Sequence, residues 1–324
     1  MSALVQAEGL SRHFAPRGFL ALGPAVQAVT AVDLAIARGE RVGLVGESGS
    51  GKSTLGRLLL GLIPPSAGRV VMDGADLGTL GAAEIRAARR RMQIIFQDPY
   101  SSLDPRRRVG AQISDGLSIH RMGSAAERAE RVRTLLSQVG LSPAHAERYP
   151  HEFSGGQRQR IGIARALATG PDFLVADEPV SALDVSVQAQ VLALLAELCA
   201  RNSVALLFIS HDLPVVRSLC ERVVVLYLGR VMEEGPSAAV LARPLHPYTQ
   251  ALISAAPSLD PTRRRQRILL EGDPPSPASP PSGCVFRTRC RHATAACAET
   301  VPRLREAEPG HHVACIRTDI EPGV

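Results

Sequence analysis

Nine consecutive residues in the first sixth of the chain have the types and spacing of a phosphate-binding loop. Residues 46–54 read Gly-Glu-Ser-Gly-Ser-Gly-Lys-Ser-Thr and fit the pattern G-x-x-x-x-G-K-[ST] at every fixed position. Glycines let successive backbone N–H groups turn inward, and with the positive end of a following helix they bind phosphate oxygens. We expect Lys52 to reach the β- and γ-phosphates of a nucleotide and Ser53 to place its hydroxyl on Mg²⁺. The residues assigned to the nucleotide are Gly46, Ser48, Gly49, Ser50, Gly51, Lys52, Ser53 and Thr54.

Polar side chains follow two short apolar runs further along the chain. Asp177 ends the run 172–177 and Glu178 comes directly after it, and His211 follows the run 204–209. Ligands of nucleotide-binding sheets lie at the carboxyl ends of the strands. Asp177 is therefore predicted to hold Mg²⁺ through its water shell, and Glu178 to polarise an attacking water as general base. His211 is predicted to contact the γ-phosphate and orient that water.

A pair of glycines begins another predicted helix. Ser154 is a good N-cap for it, and Gly155 and Gly156 occupy its first turn. Two glycines there weaken a helix, but they suit a site where backbone N–H groups must be open to an anion. That anion is either a phosphate bound by this chain or one held by a second chain.

These residues need a sheet that brings strand ends together. Continuous apolar runs at 41–45, 172–177, 204–209 and 223–228 alternate with helical patterns, which predicts an α/β fold with a parallel sheet covered on both faces. The chain has 324 residues and a net charge of +6, but aromatic residues make up only 3% and Trp is absent. Base-stacking platforms are therefore not expected, and we predict no nucleic-acid partner. The sequence shows neither a signal-peptide pattern nor an apolar run of 18 residues, which favours the cytosol.

In this order and spacing, the motifs resemble those of an ATP-binding cassette ATPase. The resemblance covers about residues 4–256 and adds Gln97 and the segment 181–184, Ser-Ala-Leu-Asp. It implies a P-loop NTPase (RecA-like) core with an antiparallel β subdomain and a helical subdomain at about residues 100–168. The predicted domains are the nucleotide-binding domain, 1–256, and a proline-rich strap with a small cysteine-bearing extension, 257–324.

The resemblance also implies roles for residues outside the phosphate loop. Gln97 would contact Mg²⁺ and sense a membrane subunit, Asp184 would lie at a dimer seam, and Phe14 would stack on adenine. A signature that caps the γ-phosphate of ATP on the partner subunit would consist of Ser154, Gly155, Gly156 and Gln157. Phe153 precedes this signature where Leu is commoner. Two such chains would sandwich two ATP molecules and drive membrane subunits between two access states.

Three C-terminal segments narrow the family. Residues 246–252, 271–277 and 280–284 resemble, in order, the C-terminal region of oligopeptide/dipeptide permease ATP-binding subunits, over about residues 244–317. The resemblance implies ATP hydrolysis coupled to peptide import, at the cytoplasmic face of the inner membrane as a peripheral subunit. The implied partners are a second ATPase subunit, a sister chain rather than a second copy, two transmembrane permease subunits and an extracytoplasmic substrate-binding protein.

Four cysteines cluster near the C-terminus, as Cys284, Cys290, Cys297 and Cys315. The loop-rich segment around them is too small to bury its own core, so a metal would supply what the core cannot. Four thiolates suit a [4Fe–4S] cluster or Zn²⁺, and the resemblance favours the cluster because some family members carry one at this spacing. Free thiols are the alternative. His311 and His312 are expected at the surface.

Alternatives to peptide import follow from the same motifs. A soluble cassette ATPase acting on nucleic acid or the ribosome usually has two cassettes or a long coiled-coil insertion, and this chain has one cassette and no heptad run. A non-catalytic regulatory cassette is disfavoured because Glu178 and His211 are both in place. An importer of a nickel chelate, glutathione or an opine stays open.

Overall fold

The structure is a computed structural model that describes residues 3–15, 23–98, 102–256 and 268–322. The chain divides into two compact units: Met1–Val5, Ala35–Glu40 and Val71–Phe208 form the first, and Gln6–Leu34, Arg41–Val70 and Ile209–Val324 form the second. None of the helices among the described residues is both long enough and apolar enough to cross a membrane.

Strands and helices alternate along the part of the chain that the structure describes. The strands are β1 (Ala3–Phe14), β2 (Val26–Ala37), β3 (Arg41–Val45), β4 (Ala67–Met72), β5 (Ala75–Asp76), β6 (Met92–Ile95), β7 (Phe173–Asp177), β8 (Ala205–Ile209), β9 (Arg222–Tyr227), β10 (Arg230–Pro236), β11 (Arg305–Glu308) and β12 (His311–Val313). The helices are α1 (Lys52–Leu59), α2 (Ala82–Arg91), α3 (Val109–Ile119), α4 (Ala125–Gln138), α5 (Gly155–Leu167), α6 (Val185–Asn202), α7 (Leu213–Leu219), α8 (Ser237–Ala242), α9 (Pro247–Ala255) and α10 (Ala296–Glu299). Short 3₁₀ helices span Pro143–Glu147 and Pro150–Glu152.

The first unit contains a parallel sheet edge and a group of helices. Its strands have the order β8–β7–β6, and β6 runs parallel to β7 with Met92 opposite Phe173 and Ile95 opposite Ala176. Every residue of β7 and β8 is buried, as expected for strands covered on both faces. Helices α3, α4 and α5 pack on one another, and α4 buries an apolar face formed by Val132, Leu135 and Leu136.

The second unit has a mixed sheet in the order β11–β12–β10–β9–β3. Strand β3 is parallel to β9, with Val45 opposite Val225, whereas the β9–β10, β10–β12 and β11–β12 pairs are antiparallel. The unit also holds most of β1 and β2 and the start of β4, which lie in the order β2–β1–β4. This sheet places the residue after β3, where the phosphate loop begins, next to the end of β9.

The C-terminal extension packs onto the second unit and is not a free-standing module. Strand β12 pairs with β10, with Glu233 opposite Val313, and Phe286 is only 1% exposed. The expectation that His311 lies at the surface is wrong, because it is 1% exposed and bonds the buried Glu233 carboxylate through Nε2 at 2.7 Å. The predicted domain boundary at residue 257 lies outside the described residues and stays a prediction, and residues 257–267 of the predicted proline-rich strap lie outside them too.

Candidate nucleotide-binding site

The phosphate loop depends on glycine for steric as well as conformational reasons. Gly46, Gly49 and Gly51 have φ angles of 155°, 77° and 102°, a region that side chains rarely adopt. A Cβ atom would lie 2.2 Å from the Leu226 carbonyl oxygen at Gly46, and 2.1 Å from the Ala28 carbonyl oxygen at Gly51. The loop is thus fitted closely against β9 and β2, and Gly49 alone of these three has open space around it.

Lys52 folds back over this loop. Its Nζ donates to the carbonyl oxygens of Gly46 and Glu47, both at 2.8 Å, and lies 3.4 Å from Ser50 Oγ. Only 6% of Lys52 is exposed. An ammonium group kept at the mouth of a glycine loop is well placed to attract phosphate oxygens.

Helix α1 begins at this lysine with an open N-terminus. Its N-cap residue, Gly51, has no side-chain capping bond, and no acidic side chain occupies the first turn. The positive end of the helix dipole therefore faces the loop, and no carboxylate of the first turn neutralises it. Ser53 and Thr54 lie half-buried in this first turn, so the predicted Mg²⁺ ligand is placed at the helix start.

Two further predicted residues belong to the second unit. Phe14 ends β1, is 37% exposed and carries the Arg12 guanidinium 4.6 Å from its ring centroid. His211 is exposed and lies two positions after the end of β8. The residue between them, Ser210, donates its N–H to the Leu44 carbonyl oxygen of β3 at 3.2 Å. The histidine thus follows a strand end that is bonded to the strand leading into the phosphate loop.

In the first unit, the strand-end carboxylates contact the predicted glutamine. Asp177 closes β7 and is 6% exposed, and Glu178 adopts a φ of 46°, which is uncommon away from glycine and often found at active sites. Gln97 Nε2 donates to Glu178 Oε2 at 3.0 Å. The structure therefore brings Gln97 and Glu178 together, although they are 81 positions apart in the sequence.

The predicted signature forms the start of α5. Ser154 Oγ accepts the Gln157 N–H at 3.4 Å, and Gln157 Oε1 accepts the Ser154 N–H at 3.0 Å, which makes a capping box. A Cβ on Gly156 would lie 2.4 Å from Val187 Cγ1 of α6. The second glycine is therefore required by helix packing as well as by any anion. Asp184, the N-cap of α6, is exposed without a side-chain capping bond.

The sequence did not assign a role to Glu47, Tyr248 or Arg289. The Tyr248 hydroxyl accepts the Glu47 N–H at 2.8 Å, and the Arg289 guanidinium bonds the Glu47 carboxylate at 2.8 Å. Both partners lie more than 200 positions from the loop, so no local spacing could have indicated the contact. The one available signal was the family resemblance of residues 246–252, which include Tyr248.

The four C-terminal cysteines share a cavity, but the structure gives no support to the expectation of iron–sulfur or zinc. They line a cavity of about 10 Å³, room for about one water molecule. No group of three or more His, Cys, Asp or Glu side chains in the described part of the chain is arranged to hold a metal ion. Burial raises the pKa of the Cys284 thiol to about 11 and also raises the pKa values of Cys290 and Cys315. The extension does not need a metal in place of a core of its own, because it shares the core of the second unit.

Comparison with known proteins supports the resemblance. The family model described as ABC transporter matches residues 29–181, and the one described as Oligopeptide/dipeptide transporter, C-terminal region, matches residues 232–297. The chain is 59% identical over 317 residues to a Brucella ovis protein that carries the name peptide import ATP-binding protein, covering 98% of both chains. It is 50% identical to the oligopeptide transport ATP-binding protein AppF of Bacillus subtilis, covering 90% of this chain and 89% of AppF.

Solved structures show the same fold. A dimeric post-hydrolysis state of the ATP-binding cassette MJ0796, bound to ADP and Pi, matches 72% of this chain and 98% of its own at 30% identity, with a TM-score of 0.64. The cassette cbiO1 of Clostridium perfringens, part of the transporter complex cbiONQ, matches with the same TM-score of 0.64 at 27% identity. The predicted P-loop NTPase fold is confirmed, and the chain belongs to the ABC transporter ATPases, in the family of oligopeptide/dipeptide permease ATP-binding subunits.

Proposed function

We propose that this chain is the ATP-hydrolysing subunit of an importer of di- or oligopeptides. The observation that carries the ATPase assignment is the buried Lys52, which is bonded to the Gly46 and Glu47 carbonyls across a glycine loop that opens onto a helix N-terminus. The substrate class is supported by the names of relatives at 50–59% identity, which refer to peptide and oligopeptide transport. Those names favour import over the alternative of a cassette acting on nucleic acid or the ribosome.

Each candidate residue has a proposed task in hydrolysis. Lys52 and the loop N–H groups bind the phosphates, Glu178 polarises the attacking water, and His211 contacts the γ-phosphate and orients that water. Phe14 stacks on the adenine. The signature 154–157 and Asp184 act on the partner cassette, where they cap the ATP bound by the other chain.

The donor set fits Mg²⁺. A hydroxyl from Ser53, a carboxylate from Asp177 and an amide oxygen from Gln97 are the hard oxygen ligands that this ion prefers. Gln97 gives its Nε2 hydrogen to Glu178, so the amide oxygen is the atom it offers to a cation. When bound, the ion neutralises charge on the β- and γ-phosphates.

The proposed assembly has three kinds of partner. A second cassette, a sister chain in preference to a second copy, completes each ATP site, and two transmembrane permease subunits carry the substrate. An extracytoplasmic binding protein delivers the peptide. This chain would sit at the cytoplasmic face of the inner membrane as a peripheral subunit.

For the cysteines, binding of a [4Fe–4S] cluster, or of zinc as its alternative, is a separate proposal. It rests on the spacing of Cys284, Cys290, Cys297 and Cys315 in the sequence and not on the cavity that they line in the structure. Iron, zinc and sulfide are to be assayed on protein purified without oxygen. Stoichiometric iron and sulfide, lost on Cys290→Ser, would establish the cluster, and absence of all three would end the proposal.

The ATPase proposal is tested in the purified transporter that contains this chain. Glu178→Gln is expected to lower ATP turnover by about 100-fold or more while ATP still binds, because a general base contributes about that factor. Glu197→Gln, an exposed change of the same type on α6, is the control. Unchanged turnover in Glu178→Gln would contradict the assignment. Uptake of labelled peptide, compared with glutathione and a nickel chelate, decides the substrate class.

A further inference from the structure

Glu47, the second residue of the phosphate loop, is held by two residues of the C-terminal region. Its N–H donates to the Tyr248 hydroxyl at 2.8 Å, and its carboxylate accepts from Arg289 Nη1 at 2.8 Å. Its own carbonyl accepts from Lys52 Nζ at 2.8 Å. The backbone donor, the backbone acceptor and the side chain of one loop residue are thus all engaged.

The two C-terminal partners are themselves fixed by an aromatic cluster. Tyr248 is fully buried, and its ring centroid lies 4.6 Å from that of Tyr227 and 5.3 Å from that of Phe286. Phe286 also packs edge-on against Tyr227 at 5.3 Å. Burial raises the pKa of Tyr248, so its hydroxyl stays protonated and neutral beside the loop.

Arg289 is attached to the same cluster through its backbone. Its N–H donates to the Phe286 carbonyl at 3.0 Å, which closes a turn on the buried ring. Its side chain is 8% exposed and that of Glu47 is 26% exposed. A charge-assisted bond shielded in this way is stronger than a pair at the open surface.

We infer that Tyr248 and Arg289 are positioning residues for the phosphate loop, acting through Glu47 on Lys52. The two contacts fix the backbone next to Gly46 and so fix the Glu47 carbonyl that orients the lysine ammonium. The C-terminal region therefore sets the affinity for ATP within its own chain. This inference rests on the proposed ATPase function and assigns the role to residues outside the stretch matched by the ABC transporter family model, 29–181.

The inference is tested with the full-length chain, Mg²⁺ and a fluorescent ATP analogue, and by ATP turnover in the assembled transporter. Arg289→Ala is expected to raise the Kd of the analogue and the KM for ATP about tenfold, because it leaves a half-buried carboxylate unpaired, with kcat changed less than about twofold. Tyr248→Phe is expected to raise the Kd of the analogue and the KM for ATP about threefold. Arg289→Lys, which keeps the charge, should recover most of the affinity.

Controls separate positioning from general stability. Arg291→Ala removes an exposed arginine two positions away, whose Nε bonds only the neighbouring His292 ring, and should leave Kd unchanged. The double variant Glu47→Gln/Arg289→Ala should bind ATP no more weakly than the weaker single variant, since both act through one contact. If Arg289→Ala does not fold, Arg289→Lys and Tyr248→Phe carry the test.

The outcomes distinguish the inference from the function it rests on. Wild-type affinity in Arg289→Ala and Tyr248→Phe, with binding lost in Lys52→Ala, would overturn the positioning role and leave the ATPase assignment standing. The positioning role would also be overturned if the losses of ATP affinity caused by Glu47→Gln and Arg289→Ala were additive in the double variant. If neither the wild-type chain nor Lys52→Ala bound the analogue, the proposed function and the inference would fall together.

Discussion

At the scale of single residues, the phosphate loop contains glycines that are required for different reasons. Gly51 has a φ of 102° and lies against the Ala28 carbonyl, whereas Gly49 has a φ of 77° and no atom within 4 Å of the place that a Cβ would occupy. Both need a left-handed backbone, and only Gly51 also needs the absence of a side chain. Alanine substitutions at Gly49 and Gly51 therefore separate the cost of backbone strain from the cost of a steric clash.

Gly51→Ala is expected to lower the free energy of unfolding by about 3 kcal/mol, because the new methyl meets backbone that cannot turn away. Gly49→Ala should cost only about 1 kcal/mol, the strain of a left-handed alanine. Chemical denaturation of the full chain without nucleotide measures both. Equal losses would mean that the contact with Ala28 does not constrain the loop.

The sequence predicted which residues form the phosphate loop but not which residues surround them. The pattern at 46–54 indicated a phosphate loop because its fixed positions are local. The contacts of Gly46 with Leu226, and of Glu47 with Tyr248 and Arg289, join residues 180 to 242 positions apart. Such contacts follow from strand order, which apolar patterns do not specify.

At the scale of elements, the crossing of α5 and α6 depends on Gly156. A Cβ there would lie 2.4 Å from Val187 Cγ1. Gly156→Ala is expected to destabilise the chain by about 2 kcal/mol through overpacking. Val187→Ala in the same chain should remove the clash, so the double variant should be more stable than the sum of the single losses predicts. Strictly additive losses on denaturation would contradict the packing role.

The double variant also separates the two roles of the signature. If Gly156 serves packing alone, ATP turnover in the assembled transporter should return with stability. If its backbone must also approach the phosphate of the partner's ATP, turnover should stay low after stability is restored. Gly162→Ala, the same change in the same helix at a position where a Cβ would meet no atom within 4 Å, is the control.

Helix α9 begins with a buried titratable residue. His246 accepts the Tyr248 N–H through Nδ1 at 3.0 Å, and burial lowers its pKa from 6.5 to about 4, against the opposing effects of the Glu233 carboxylate and a bond with the Ala314 backbone. A lowered histidine pKa means that the unfolded chain binds the proton more readily. The contribution of His246 to the free energy of unfolding is complete above pH 6.5 and is lost as the pH falls toward 4.

The free energy of unfolding is expected to fall by about 3 kcal/mol through His246 between about pH 6.5 and about pH 4. His246→Asn keeps an acceptor for the helix N-terminus and cannot titrate, so its unfolding free energy should fall less over this range. His151→Asn, at an exposed position, should follow the wild-type curve. Parallel pH profiles for His246→Asn and wild type would show that His246 is not buried in its neutral form.

Element types were predictable where periodicity is strong. The apolar runs at 41–45, 172–177, 204–209 and 223–228 became β3, β7, β8 and β9. The C-terminal extension was misjudged, because its short strand β12 pairs with β10 of the second unit as well as with β11. A three-residue strand carries no pattern of its own, and this is also why buried His311 was expected at the surface.

At the scale of the whole molecule, an exposed apolar side chain lies at the proposed interface, or seam, between the two cassettes. Val185 is 82% exposed and follows Asp184 at the start of α6. In a Glu178→Gln background mixed with the second cassette, Mg²⁺ and ATP, Val185→Asp is expected to weaken dimerisation about tenfold, because it adds a charge to a surface that association must bury. Light scattering after size exclusion measures it. Leu269→Asp, 74% exposed in the C-terminal region, is the control. Equal dimer fractions in both variants would exclude Val185 from the seam.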